Sequence, residues 1–239
     1  MTLAAPLVNN PRLSAICTSL STPRLGPYLT AAGGNIQAAV RLYEWNVELS
    51  GAVYEALHVV EVVLRNALDQ QLSAWNANQT DRHSGRPHSP DWLTDPSRLI
   101  QRLLGADLPR AHTRARQATR AGKPGGRSPS HPDLLAQLTF GTWRYLLPDR
   151  DAGRQLLWNQ ALHLAFPHLT ITPGDLVHRI DGIYRHRNRS AHLEPLLRGR
   201  VVRTQFNNMR TGLAAINPYV EDWFVSNQRV TRSLRNRQP

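Results

Sequence analysis

Four side chains suited to phosphate chemistry occur within eight residues of this chain. They are Arg185, Arg187, Arg189 and His192, and Asn188 lies among them. An arginine supplies a fixed cation whose forked donors match a phosphate group. A histidine can accept or donate a proton near neutral pH. Together these residue types are the minimum needed to cleave RNA without a metal ion.

A helix that carried this segment would divide its polar residues between two faces. We expect the helix to begin at a Thr172 cap with Pro173 in its first turn and to run to about His192. At 100° per residue, one face holds Ile180, Ile183, Arg187 and Ala191, and another holds Arg185, Asn188, Arg189 and His192. Five residues along an ideal helix separate Arg187 and His192 by about 140°. The two can therefore share a phosphate only in a groove beside the helix, or if the helix distorts before Pro195.

The apolar companions of Arg187 predict an inward-facing arginine, which needs a nearby carboxylate because a buried unpaired charge is costly. Glu61 is the candidate, since it interrupts an apolar run at 58–64 on another predicted helix. Arg65 lies one turn further on and would join a polar network with Glu61 and Asn188. A structural interpretation also stays open, which the spacing alone does not exclude: the basic helix face is simply solvated, and Glu61 and Arg187 form an ordinary ion pair.

Helical periodicity dominates the remaining sequence and predicts an all-α fold, a helical bundle with additional helices. Asn35 should cap a long helical block that ends near Asn76, with a kink at Trp45-Asn46 dividing it into two helices. Further helices are expected at 96–104, 106–120, 132–147, 151–166 and 201–216, and a turn or two around Trp223. We expect one domain over 1–226, loop excursions near 77–95 and 121–131, and a basic, frayed tail over 227–239.

The charge balance favours an anionic partner. The formal net charge is +12, and nearly all of the positive charge is arginine, because Lys123 is the only lysine. Such a balance is typical of proteins that bind nucleic acid or an acidic membrane surface. The stretch between Leu108 and Pro132 has no acidic residue, and its cations are Arg110, Arg114, Arg116, Arg120, Lys123 and Arg127. This stretch could contact an RNA backbone. A solvated basic surface is an equally open interpretation.

Other site classes receive no support from the sequence. Cys17 is the only cysteine, so no disulfide framework or thiolate metal cluster is expected. The histidines show no spacing typical of a metal site, and no phosphate-binding glycine loop is present. No segment has the length and apolarity of a membrane-spanning helix or a secretory signal. We therefore expect a cytoplasmic protein with no cofactor, no metal and no membrane partner.

The segment Arg187-Asn188-Arg189-Ser190-Ala191-His192 resembles the Arg-x4-6-His motif of HEPN domains. The surrounding chain resembles the Abi-like (AbiD/AbiF) family of bacterial abortive-infection proteins. The resemblance covers roughly residues 40–200 and is carried by four segments, Leu42–Asn46, Leu57–Ala67, Leu138–Trp143, and Arg187–His192 with Glu194-Pro195. The combination is fairly specific, whereas the six-residue motif alone is not.

This resemblance implies a HEPN-like helical bundle that acts as a metal-independent endoribonuclease on single-stranded RNA. Arg187 and His192 would be catalytic and Asn188 would orient them, while Arg185 and Arg189 would help to bind RNA. Many HEPN domains work as dimers whose motifs face one another. Arg65-Asn66 resembles the start of a second motif, but the residue five after Arg65 is Gln70 and not histidine. The chain therefore has a single motif, and the composite site would require a homodimer.

The resemblance also implies a biological setting, either phage defence by abortive infection or a toxin. An antitoxin protein or a regulatory RNA would then be a further partner. Two other functions stay open on the sequence alone. One is a non-catalytic RNA-binding module that uses the same basic groove, and the other is a degenerate HEPN scaffold that makes only protein–protein contacts.

Overall fold

The protein is all-α. The computed structural model describes residues 10–120 and 127–237, and within those ranges it contains helices, one 3₁₀ turn and an isolated β-bridge between Thr80 and Pro87, but no strand. The helices are α1 (Pro11–Leu20), α2 (Thr22–Ala31), α3 (Ile36–Ala77), α4 (Arg98–Leu104), α5 (Asp107–Arg120), α6 (His131–Leu135), α7 (Phe140–Leu146), α8 (Ala152–Gln160), α9 (Pro173–Ala191), α10 (Gly199–Ile216), α11 (Pro218–Asn227) and α12 (Val230–Arg235). The 3₁₀ turn spans Leu162–Ala165.

The central element is α3, a 42-residue helix about 63 Å long. Asn35 caps it as predicted, and its side chain accepts a hydrogen bond from the amide of Ala38 at 3.0 Å. The predicted kink at Trp45-Asn46 is wrong, because the helix is continuous there. Both side chains are buried and bond to other parts of the fold, so their polar groups are satisfied without breaking the helix.

The carboxyl-terminal segment is ordered further than the sequence predicts. Residues 230–235 form α12 instead of a frayed tail, and Val230, Ser233 and Leu234 are buried. The indole of Trp45 donates a hydrogen bond to the Ser233 carbonyl at 2.7 Å. This short helix therefore packs against α3 through apolar contacts that its basic composition conceals. Residues 238–239 lie outside the described ranges.

Two predicted helices are interrupted. The periodic segment at 132–147 divides into α6 and α7, and the segment at 151–166 ends as α8 followed by the 3₁₀ turn. Conversely, α1 and α2 precede Asn35, where we recognised no periodic block. One contiguous core includes residues from Tyr28 to Leu234 and extends across most helices. A smaller apolar cluster joins α1, α2 and α3 through Cys17, Leu25 and Val40.

The loop between α3 and α4 is held by polar contacts. The Asn76 amide donates to the carbonyls of Ser89 and Asp95, and its oxygen accepts from the amide of Ser97. Trp92 is fully buried, and its indole donates to Asp69 at 2.8 Å. This excursion, predicted near 77–95, therefore packs closely on the core.

A bridging histidine ties the same loop to α6. His131 contacts Asp91 through Nδ1 at 2.6 Å and Asp69 through Nε2 at 2.9 Å. The bond to Asp69, opposed by burial and assisted by the bond to Asp91, raises the pKa of His131 to about 9. The protonated imidazole thus joins α3, the loop and α6. The rest of the second predicted excursion, 121–126, lies outside the described residues.

No helix in the described part of the chain has both the length and the apolarity that crossing a bilayer requires.

Candidate active site

The candidate site lies at the carboxyl-terminal end of α9. Thr172 caps this helix as predicted, accepting from the amide of Asp175 at 3.1 Å, and Pro173 follows it. Leu176, Ile180 and Ile183 are buried and hold the helix on the core. The last turn ends at Ala191, and His192 is the cap residue. The predicted helix and its end are therefore confirmed.

Packing against α10 fixes the rotation of α9. Arg179 donates to the Asn208 side chain at 2.9 Å. A Cβ at Gly182 would lie 2.7 Å from Oε1 of Gln205, the flexible end of a side chain on α10. Glycine at this position leaves room for Gln205, and the packing against α10 holds the following side chains of α9 in defined directions.

The chain leaving α9 is anchored at several points. Leu193 has a left-handed backbone with φ 57°, and its carbonyl accepts a hydrogen bond from Arg24. Further along, the amide of Leu196 donates to the buried Asn46 side chain at 2.6 Å. Arg237 donates to the Leu197 carbonyl at 3.1 Å. Contacts from α2, α3 and the carboxyl terminus thus position the end of the helix that carries His192.

Arg187 and Asn188 are half-buried side chains with no committed partner. Neither side chain makes a hydrogen bond or ion pair with any residue in 10–120 or 127–237. His192 is exposed one turn further on, and its ring is also unbonded within those residues. A half-buried cation and an amide without protein partners are available to a ligand. The three residues predicted to be catalytic therefore lie together at one helix end with free polar atoms.

The predicted support from α3 is wrong. Glu61 makes no ion pair within 4.0 Å with any residue that the structure describes, Arg187 included, and Arg65 donates only to its neighbour Asn66, at 3.2 Å. Glu61, Arg65 and Arg187 are all half-buried. Half-buried groups keep part of their hydration. Arg187 therefore does not carry the full free-energy cost of a buried charge, and it does not need a carboxylate partner. The structural ion-pair interpretation fails for the same reason.

The angular gap between Arg187 and His192 is preserved. The His192 amide donates to the Asn188 carbonyl at 3.0 Å, so the helical hydrogen-bond ladder extends to the cap residue. The separation of about 140° expected for an ideal helix therefore holds, and the helix does not distort before His192. Within one chain the two side chains leave the helix in different directions.

The arginines predicted to bind RNA divide into two groups. Arg185 pairs with Asp181 at 2.9 Å and Arg189 with Glu194 at 2.7 Å, although both remain substantially exposed. On α5, three cations are exposed without a carboxylate within 4.0 Å among the described residues, Arg114, Arg116 and Arg120. Leu108, Ala111 and Ala115 form the buried face of that helix. Lys123, from the same basic stretch, lies outside the described ranges.

His186, which directly precedes the motif, has no role predicted from the sequence and is more buried than any polar residue of the motif. It is 3% exposed, and its Nε2 has no hydrogen-bond partner within the described part of the protein. Burial, assisted by the charge of Arg189, lowers the pKa of His186 to about 4. It is therefore neutral at physiological pH and provides no cation for a phosphate.

The burial of His186 also corrects the predicted faces of α9. The buried side is centred on Ile183, His186 and Ser190, whereas Arg187 is at its edge and Ala191 is exposed. Counting three residues from Ile183 would have identified His186, because positions three and four apart both lie on one helix face. Arg187, four residues after Ile183, lies further from the core than the apolar periodicity predicts.

Comparisons with known proteins found no matching family model, no matching curated protein and no matching solved structure.

Proposed function

We propose that this protein is a metal-independent endoribonuclease that cleaves single-stranded RNA through a composite site shared by two copies of the chain, in phage defence or as a toxin. The main support is the set of uncommitted polar groups at the end of α9. Arg187 and Asn188 are half-buried without protein partners in the described residues, and His192 is exposed beside them. The resemblance of this segment to the HEPN motif supplies the reaction type and the biological setting.

The chemistry follows from the residue types. A neutral His192 accepts the proton of an RNA 2′-hydroxyl, and the resulting alkoxide attacks the adjacent phosphorus. The bond to the 5′-oxygen breaks, and the partner's His192, which is protonated, donates a proton to that oxygen. Arg187, assisted by Arg185 or Arg189, stabilises the extra negative charge of the phosphorane. The two imidazoles then exchange protons with water and return to their starting states.

The geometry of α9 favours a site made from two copies. A single chain directs Arg187 and His192 about 140° apart, so one helix end cannot surround a phosphate from both sides. A two-fold axis near these residues would bring a second His192 and a second Arg187 to the same phosphate. Acid and base would then come from different copies, which the mechanism requires.

The wild-type protein is expected to cleave single-stranded RNA in EDTA and to leave 2′,3′-cyclic phosphate and 5′-hydroxyl ends. These ends follow from attack by the 2′-hydroxyl, so single-stranded DNA of the same sequence should stay intact. End-group analysis by mass spectrometry of the products makes the measurement. Cleaved DNA, or RNA products with 5′-phosphate ends, would contradict the mechanism.

The exposed arginines of α5 support a second candidate function, a non-catalytic RNA-binding module. Arg114, Arg116 and Arg120 form a basic helix surface that could follow a phosphate backbone. RNA binding that weakens steeply with salt, without any cleavage, would select this function. Absence of both binding and cleavage would leave only a scaffold for protein–protein contacts.

A further inference from the structure

Tyr145 on α7 forms an exposed aromatic platform beside α9. Its ring meets that of Tyr184 edge to face, with centroids 5.9 Å apart. Tyr184 in turn stacks on the buried Phe140, at 6.3 Å and an interplanar angle of 13°. This succession of rings fixes Tyr145 against the core while leaving the residue 48% exposed. Its orientation is therefore set, while about half of the residue stays accessible.

Guanidinium groups surround the platform. The Cζ atoms of Arg144 and Arg154 lie 5.0 Å and 5.8 Å from the centre of the Tyr145 ring. Arg144 and Arg185 both bind Asp181, at 2.7 Å and 2.9 Å, and Arg154 pairs with Asp149. Three cations thus face two carboxylates, which leaves an excess of positive charge beside an accessible aromatic ring. Single-stranded nucleic acids are bound by this combination, in which aromatic rings stack on bases and cations contact phosphates.

Other exposed aromatic residues lack this combination: Tyr54 on α3 is 52% exposed, and no guanidinium in the described part of the chain lies over its ring. Tyr219 and Trp223 on α11 are 83% and 55% exposed. They lie next to Glu221 and Asp222 in the chain, and no guanidinium within the described ranges is positioned over either ring. Tyr145 is therefore distinguished by the cations beside its ring and not by the degree of its exposure.

The platform lies on the face of α9 that leads to His192. Asp181, Tyr184, Asn188 and His192 lie within an arc of about 80° on this helix, and Asp181 and Tyr184 are the residues that contact α7. From Tyr184 to His192 the helix rises about 12 Å. At about 3.4 Å per nucleotide in a stacked strand, this rise corresponds to three or four nucleotides.

We propose that Tyr145, with Tyr184, Arg144 and Arg154, forms a stacking subsite for one unpaired base of single-stranded RNA. A base seated there would place the strand along α9, so that a phosphate a few nucleotides away reaches His192. The subsite would serve the nuclease function proposed above, and the identity of the reacting phosphate rests on that proposal. Stacking is tolerant of base identity because every base has an aromatic face. The subsite therefore fixes where the RNA strand binds and does not select its base sequence.

Binding measured in a cleavage-deficient background tests the subsite separately from catalysis. In the His192→Ala protein, a short fluorescein-labelled single-stranded RNA is titrated and its anisotropy recorded. Adding Tyr145→Ala should weaken binding by roughly 5- to 150-fold, the usual loss for one stacking aromatic. Tyr145→Phe keeps the ring and should bind like the background protein. Tyr219→Ala is the matched control, because it removes a more exposed tyrosine, and it should change nothing.

The outcomes separate the two proposals. Unchanged affinity in Tyr145→Ala, or an equal loss in Tyr219→Ala, overturns the subsite even if the wild-type protein cleaves RNA. A loss that is specific to Tyr145→Ala and restored by Tyr145→Phe supports it, even if cleavage is never observed and the nuclease proposal fails. If the protein binds no RNA, both proposals are wrong. Circular dichroism of each variant confirms that the helices are intact.

Discussion

The His192→Ala protein is expected to cleave single-stranded RNA about 100- to 10,000-fold more slowly than the wild type. This range is the usual contribution of one general acid–base group, and it is a lower bound in a two-copy site, where the substitution removes both the acid and the base. His192 is exposed at the end of α9, and the contacts that anchor this end involve backbone atoms of Leu193 and Leu196. The loss should therefore occur without unfolding. Initial cleavage rates at equal protein concentration provide the measurement.

His178→Ala is the matched control for this substitution. His178 is exposed on the same helix, outside the motif, so its loss alters surface charge and helix propensity in a similar way. The control should cleave at the wild-type rate. Equal activity in the wild-type and His192→Ala proteins, or an equal loss in both variants, would contradict the role given to His192.

Replacement of His131 by alanine is expected to lower the free energy of unfolding at pH 6 by roughly 2–3 kcal/mol. The side chain is about one-fifth exposed and makes a charge-assisted hydrogen bond to each of two carboxylates. Its removal leaves Asp69 and Asp91 partly buried without their shared cation. Urea unfolding followed by circular dichroism gives the difference between the two proteins.

The stabilisation by His131 should depend on pH with a defined sign. Its pKa is about 9 in the folded protein and 6.5 as the unperturbed value. Below pH 6.5 both states carry the proton, and the full stabilisation is present. As the pH rises from 6.5 through 9, the unfolded state loses its proton first and the stabilisation disappears. The difference in the free energy of unfolding between the wild-type and His131→Ala proteins should therefore be largest at pH 6 and smallest near pH 9.5.

His178→Ala serves again as the control and should show no such pH-dependent gap. A difference between the wild-type and His131→Ala proteins that stays constant, or grows, toward pH 9.5 would show that the bridging imidazole is not the charged link between α3 and α6.

Local signals in the sequence predicted much of the helical structure. Asn35 and Thr172 cap the expected helices because an N-cap depends on its own side chain and the next few amides. The end of α9 near His192 was also predicted, and the motif residues lie together because they belong to one helix end. These features depend on neighbours within about one turn, which a sequence displays directly.

The errors concern contacts between distant segments. Asn46 has the sequence character of a helix breaker, but its side chain accepts a hydrogen bond from the distant Leu196. Likewise, α12 has the composition of a frayed tail, but it packs against Trp45. The pairing of Glu61 with Arg187 presupposes full burial, but both side chains are only half-buried. The bridge at His131 joins positions 69, 91 and 131, a combination that no local spacing reveals.

Mixing wild-type and His192→Ala chains tests the composite site most directly. After subunits have exchanged in an equimolar mixture, a site that needs His192 from both copies is complete in only about a quarter of the dimers. We therefore predict about a quarter of the cleavage rate of the same total concentration of wild-type protein in EDTA. A rate near one half would show that each chain acts alone and would contradict the account, as would a wild-type protein that leaves RNA intact.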